Sequence, residues 1–345
     1  MSYDVVTFGE AMVRLAPPDF KRLEQTTSLD LTIGGSEFNI AIGAARLGLR
    51  SAWVSRLADN SLGHMIRNKA REHGVDTSHI VWSKKDRCGL YFLEFGASPR
   101  ASRVIYDRAN SAIANIKPGE VDWKNALTGA RVFMVSGITP ALSPTAREAT
   151  IEAVKAAKSC GCKVVVDLNY RKNLWSPEDA NKCMEPLMRD TNILSTTEED
   201  TKVVLGIEAS KPKSAKSGDE FKEVAAESYR EVAEKLDKKF GFEAIVITLR
   251  ENPLVWRNSW TAIAYAQGEL YRTRRYELEI VDRVGAGDSF TAGFLYGYLT
   301  GDAQKGVDYG VAFSALKHSF PGDINWCTRE EVEAQVKGAG LRISR

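Results

Sequence analysis

Short apolar runs rich in valine and isoleucine recur at residues 4–8, 131–135, 163–167, 191–194 and 244–249, the pattern of strands buried on both faces. Segments with helical spacing of apolar positions lie between and after them, at 38–47, 62–73, 143–159, 177–189, 219–240, 286–299 and 303–318. The second half of the chain therefore alternates strand and helix, which predicts an α/β sandwich around a mostly parallel sheet.

Two stretches break the alternation. Around residues 11–33 and 86–112, polar and apolar residues alternate with no helix between them, which predicts exposed strands of a small added β-sheet. Within the second stretch, CGLYFLEF (88–95) and RVIY (103–106) predict a hairpin across residues 96–102, and such a flap could close over a substrate. The polar stretch KPKSAKSGD (211–219) predicts a surface loop, because it has nothing to bury.

Composition narrows the class. The chain has 345 residues, 43% hydrophobic and 27% charged, enough to bury a large core, and no repeat or low-complexity tract interrupts it. Its 47 Lys and Arg against 45 Asp and Glu leave a net charge of +2 with no basic run to gather it, which argues against a nucleic-acid partner. No apolar stretch reaches the ~20 residues that cross a bilayer. The start carries no signal-peptide pattern, and the five scattered cysteines include no CxxC pair; both point to a reducing, cytoplasmic setting. The four histidines have no metal-ligand spacing and read as surface or packing residues.

Candidate chemistry concentrates in two places. In DRVGAGDSF (282–290) a strand-like stretch meets a helix start, and Gly285, Ala286 and Gly287 would turn backbone N–H groups outward where the helix dipole is positive, an anion hole. Asp288 would fall in the first turn, within reach of a hydroxyl beside bound phosphates. The same residues would also begin an ordinary helix, and the segment alone does not separate the two readings. It is neither the Walker pattern nor the Rossmann fingerprint. In GGSEFNIAIGAARLG (34–48), Gly34 and Gly35 would let a ligand approach the backbone and the Asn39 amide could bond sugar hydroxyls; a glycine turn with a capping amide would look the same.

Together, in this order and separation, the two segments resemble the signatures of the PfkB carbohydrate kinase family, over essentially the whole chain. The resemblance implies a ribokinase-like three-layer α/β/α sandwich with a small β-sheet lid, as one kinase domain over residues 1–345. Within the family, YDRANSA (106–112), DLNYRKNLW (167–175), IVDRVGAGDSF (280–290) and HSFPGDIN (318–325) are similar to 2-keto-3-deoxygluconate kinases. That implies ATP-dependent phosphorylation of a sugar acid at its terminal hydroxyl, with Mg²⁺ as cofactor, room for a monovalent cation, and a homodimer.

Residue by residue, the resemblance implies Asp288 as catalytic base and Gly34 touching the acceptor through its backbone. Tyr91, Tyr106, Arg108 and Arg171 would hold the acceptor's carboxylate and keto end. Thr248, Gly285 and Gly287 would meet the nucleotide, and Glu198 would organise Mg²⁺ through water. A carboxylate acceptor does need a forked cation or a phenol to orient it, although an arginine on a flap is more often a plain solvated charge. The chain departs from the family pattern at Ser195, where many members have asparagine, in LADNSLG (57–63), and after Thr248, where a glycine-rich turn is missing. Two other functions fit the same resemblance: a kinase for fructose or 5-keto-2-deoxygluconate, and, last, a non-catalytic sugar-binding regulator.

Overall fold

The computed structural model describes residues 2–210, 219–254 and 256–338. Its strands, in chain order, are β1 (Val5–Phe8), β2 (Met12–Ala16), β3 (Asp30–Gly34), β4 (Ser51–Ala58), β5 (Ile80–Ser83), β6 (Leu90–Glu94) and β7 (Arg103–Asp107). Then come β8 (Val132–Ser136), β9 (Lys163–Asp167), β10 (Ile193–Thr196), β11 (Ala244–Leu254), β12 (Arg257–Ala266), β13 (Glu269–Arg272) and β14 (Tyr276–Glu279). The stretch 211–219 lies outside the described residues except for Asp219, which opens helix Asp219–Phe240.

The large sheet runs β13-β12-β11-β10-β9-β8-β1-β4-β5, with β14 also pairing β12. It is parallel from β11 to β5 and antiparallel at the β12 edge. Its central strands are apolar throughout because each face is covered. Val6, Phe133, Val164 and Val166 enter a core with helices Pro144–Ser159 and Pro177–Met188. Their chain neighbours Val5, Val132, Met134 and Val165 point the opposite way, to helices Ser36–Arg46, Ala286–Thr300 and Ala303–Lys317. The strand period of two thus generates the three layers. Each such side chain contributes ~1.5–3 kcal/mol by leaving water.

Local signals set several helix starts. Ser143 and Ser176 each precede a proline and accept a backbone N–H two residues beyond it, at 3.0 and 3.1 Å. Asn60 caps the helix Ser61–Glu72 through two bonds of 3.0 Å.

The small sheet is real and runs β3-β2-β6-β7, with β6 and β7 forming the expected hairpin. The expectation that all its strands are exposed holds for β7, open at every position, and fails for β2, buried at four of five. The reason is topological: β2 is a central strand, between β3 and β6, and the loop around Asp323 packs on it. Strands β4, β5, β12 and β13 and helices Glu198–Leu205 and Arg329–Val336 were not anticipated from the pattern.

Candidate active site

A cavity of about 290 Å³ opens at the carboxyl ends of the parallel strands, under the small sheet. Parallel α/β sheets place ligands there because the strand-to-helix loops and helix N-termini converge on that edge. Glu10 follows β1, Asp167, Asn169 and Arg171 end or follow β9, and Ser195 to Thr197 and Asp200 end or follow β10. The helix Ala286–Thr300 supplies Gly287 and Asp288 from the opposite layer.

Gly285 is the N-cap of that helix, with φ +82°, and a Cβ there would stand 2.0 Å from the Asp323 carbonyl oxygen. Only glycine fits both the dihedral and the space. Ser289 N–H is the first to bond back within the helix, to Gly285 O at 2.9 Å, so the N–H groups of Gly287 and Asp288 have no acceptor inside it. Ala286 N–H donates to Arg283 O at 3.3 Å, and Ala286 is buried away from the cavity.

Asp288 accepts from Ser36 Oγ at 2.8 Å through one oxygen and from Asn39 Nδ2 at 2.7 Å through the other. Asn169 Nδ2 in turn donates to Ser36 Oγ at 3.2 Å. Burial pushes the Asp288 carboxyl up to about 6; the two donors oppose the rise, and Asp323 and Glu37 add to it. The carboxylate is thus fixed in place yet basic enough to take a proton near neutrality. Beside it, burial and the nearby Asp200 and Asp288 raise the Asp167 carboxyl well above the usual range. Burial also raises Asp200, against the opposing charge of Arg171. The chain thus crowds carboxyl groups together where a phosphorylated ligand would bring negative charge.

On the small-sheet side of the cavity, Arg108 gives Nε and Nη2 to Glu10 Oε2, the former at 2.7 Å, while Glu10 Oε1 accepts from Ser111 Oγ at 2.5 Å. Arg108 also lies over the Tyr106 ring, 5.4 Å from its centroid. Tyr106, 43% exposed, borders the opening and faces Tyr91 with ring centroids 5.9 Å apart. Tyr91 is buried and donates to Asp323 Oδ2 at 2.5 Å. A Cβ at Gly34 would meet that same oxygen at 2.0 Å.

The structure brings together Gly34, Gly35, Asn39, Tyr91, Tyr106, Arg108, Arg171, Thr248, Gly285, Gly287 and Asp288 on the cavity wall. It leaves Ala286 and Glu198 outside it. Glu198 begins the helix Glu198–Leu205, and one half-turn further Asp200 faces the cavity. Asn39, read from sequence as a sugar contact, lines the cavity and gives one of its amide N–H groups to Asp288. Sequence reasoning missed Glu10, Ser36, Asp167, Asn169, Asp200 and Asp323. Asn169, a non-glycine residue with φ +39°, lies inside the quoted DLNYRKNLW segment, but nothing in a linear pattern points from it to Ser36 across 133 positions.

Among the described residues, no group of three or more His, Cys, Asp or Glu is placed to hold a metal ion. No helix among them is long and apolar enough to cross a membrane.

An α/β/α sandwich with an outward-facing helix N-terminus and a positioned carboxylate, beneath a small sheet of charged and phenolic groups, defines a phosphotransferase acting on a hydroxyl. The pfkB family carbohydrate kinase model matches residues 2–330, and the chain belongs to that family. It is 36% identical over 346 residues, all of both chains, to 2-dehydro-3-deoxygalactonokinase of Haloferax volcanii. It is 32% identical to 5-dehydro-2-deoxygluconokinase of Shouchella clausii, across 97% of this chain and 96% of that protein. The crystal structure of 2-dehydro-3-deoxygluconokinase from Thermotoga maritima superposes with a TM-score of 0.91 at 43% identity, covering 97% of this chain and 99% of that one. The sandwich and small sheet expected from sequence are those of this family.

Proposed function

We propose that this carbohydrate kinase transfers the γ-phosphate of ATP to the terminal hydroxyl of 2-keto-3-deoxygluconate, giving 2-keto-3-deoxy-6-phosphogluconate and ADP, in the cytoplasm. The observation that carries the reading is the pairing of a fixed, basic Asp288 with a small-sheet wall of Arg108, Tyr106 and Tyr91. The first is needed by any sugar kinase; the second suits an acceptor with a carboxylate and a keto group.

In this mechanism the small sheet is a lid within one kinase domain and shields the reacting groups from water. Asp288 takes the hydroxyl proton as the bond to phosphorus forms, and Ser36 and Asn39 hold its two oxygens toward the acceptor. The N–H groups of Gly287 and Asp288 receive charge developing on the transferred group. Gly285 and Thr248 line the nucleotide side. Asp167 and Asp200 are hard oxygen donors on the cavity wall, and they would hold a hydrated Mg²⁺, Asp200 through water with Glu198 at the start of the same helix. When bound to the nucleotide phosphates, that ion neutralises the charge these residues cannot.

The test is ATP consumption with purified enzyme on a panel of 2-keto-3-deoxygluconate, 2-keto-3-deoxygalactonate, 5-keto-2-deoxygluconate and fructose. The highest kcat/KM on 2-keto-3-deoxygluconate is expected; a preference for fructose would leave only the broader kinase assignment. The names of the Haloferax and Shouchella relatives make the galactonate and the 5-keto acid the specific competitors.

A further inference from the structure

Four buried charges, of which only Asp323 reaches the cavity wall, sit between the small sheet and the turn that leads into the helix of Asp288. Arg14, on β2, reaches Asp282 Oδ2 at 2.6 Å with one guanidinium nitrogen and Asp323 Oδ1 at 2.8 Å with the other. Lys317 Nζ donates to the carbonyls of Asp282 and Phe320 at 3.2 and 3.3 Å. All four side chains are at most a few per cent exposed, and two cations balance two anions. Burying such a group is costly unless each charge is paired and its geometry held, so the cluster is a rigid knot rather than a loose surface network.

The knot has two ends. Toward the phosphate side, Asp282 Oδ1 accepts from Val284 N–H at 2.9 Å and its Oδ2 from Gly322 N–H at 3.0 Å. It thereby shapes the turn that presents Gly285 and Gly287, and the Asp323 carbonyl fills the space Gly285 leaves. Toward the acceptor side, Arg14 and Tyr91 are register partners on adjacent strands, and both converge on the Asp323 carboxylate, which also occupies the space beside Gly34. Gly34, Tyr91, Asp323, Arg14 and Asp282 form an unbroken path of contacts from the acceptor wall to the anion-hole turn. Its last two members, Arg14 and Asp282, do not line the cavity.

We propose that Arg14 is a positioning residue that couples the small sheet to the anion-hole turn, so that acceptor and nucleotide each strengthen the binding of the other. This rests on the kinase reading above but not on which sugar is the acceptor. Lysine at this position keeps one charge but has no fork to hold two carboxylates, so it should loosen the coupling while keeping the charge balance.

The experiment measures Kd of a non-hydrolysable ATP analogue with Mg²⁺ by calorimetry, with and without the acceptor that wild type turns over fastest in the panel. Wild type is expected to bind the analogue ~5- to 150-fold more tightly with acceptor present, the usual span of such coupling. In Arg14→Lys that ratio is expected to fall to within about twofold of one, with binding of each ligand alone little changed and cooperative melting retained. A merely structural Arg14 would lower the melting temperature and leave the ratio as it was. An unchanged ratio in the variant, or a ratio of one in wild type, overturns the proposal. Should Arg14→Lys fail to fold, Asp282→Asn removes one of the two charges that Arg14 holds, away from the cavity wall, and must lower the ratio; if it does not, the proposal fails. If the panel shows a neutral sugar to be the best acceptor, the acid reading falls and this test proceeds with that sugar.

Discussion

The two walls of the cavity are built differently. The wall proposed to meet the phosphates is made largely of main chain at one helix start, Gly285 to Asp288, and Asp288, its proposed base, is clamped by two donors from a second helix, Ser36 and Asn39. The wall proposed to meet the acceptor is made of side chains on and beside a thin sheet, each already engaged: Arg108 with Glu10 and Ser111 behind it, Tyr91 with Asp323, Tyr106 with Arg108. Backbone donors serve any phosphoryl group, so that wall is generic to the reaction. Side chains at the rim of a sheet, such as Tyr106 and Arg108, can be exchanged more readily than main chain, so the other wall is where we propose that acceptors are told apart. Damage to the first wall should therefore cost turnover on every substrate, and damage to the second should change the ranking of substrates.

The largest effect is expected at Asp288. Asp288→Asn keeps the shape and the Ser36 donor but removes the base, and kcat should fall by ~10²–10⁴-fold on acid and neutral acceptors alike, with little change in binding. Steady-state kinetics on two acceptors would check this, and near-normal turnover would remove Asp288 from the chemistry. Because burial raises its carboxyl to about 6, the active form is the one without the proton. Activity should be full at pH 8 and fall tenfold per unit as pH drops below about 6, a limb absent from the residual activity of Asp288→Asn.

Next come the arginines. Arg108→Ala leaves Glu10 buried, unpaired and facing the acceptor, so an acid substrate loses a charge-assisted bond worth roughly 1.5–3 kcal/mol and meets a like charge as well. The loss in kcat/KM should be about 10- to 150-fold on 2-keto-3-deoxygluconate and much smaller on fructose. Arg171→Ala sharpens the comparison, because Arg171 lies near Asp200 and Asp167, where the two walls meet. If it clamps the acceptor's carboxylate, its loss is selective in the same way. Equal losses on both substrates would assign it to the phosphate wall.

A smaller effect is expected for Mg²⁺. EDTA should abolish turnover and Mg²⁺ restore it. Asp200→Asn should raise the Mg²⁺ concentration for half-maximal rate several-fold, and Glu198→Gln less, since only the former faces the cavity. The reverse order in a Mg²⁺ titration would return the leading role to Glu198. The smallest effect is expected at the rim, where Tyr106→Phe removes a half-exposed hydroxyl and should change KM for the acceptor by a few-fold without touching kcat.

The layers, the parallel sheet, the flap hairpin and the helix start at Gly285 were all legible in the chain. Each is governed by local periodicity or by a residue with one conformational use: apolar strands with a period of two, a serine before a proline, a glycine at positive φ. The two signature segments placed Asp288 and the glycines for the same reason. Their pairing in space was not legible, because Ser36 and Asp288 are separated by 252 positions and the sheet order, not the sequence order, brings them to 2.8 Å. So too with Arg14, which reads as an alternating polar residue on an exposed strand and is in fact a buried cation between Asp282 and Asp323. The spacing of residues determined which elements form and where a carboxylate meets a helix dipole. Which arginine is free to meet a ligand and which is held by a buried carboxylate was decided by tertiary packing alone, since a charge's partners depend on distance through space and on the water that packing removes.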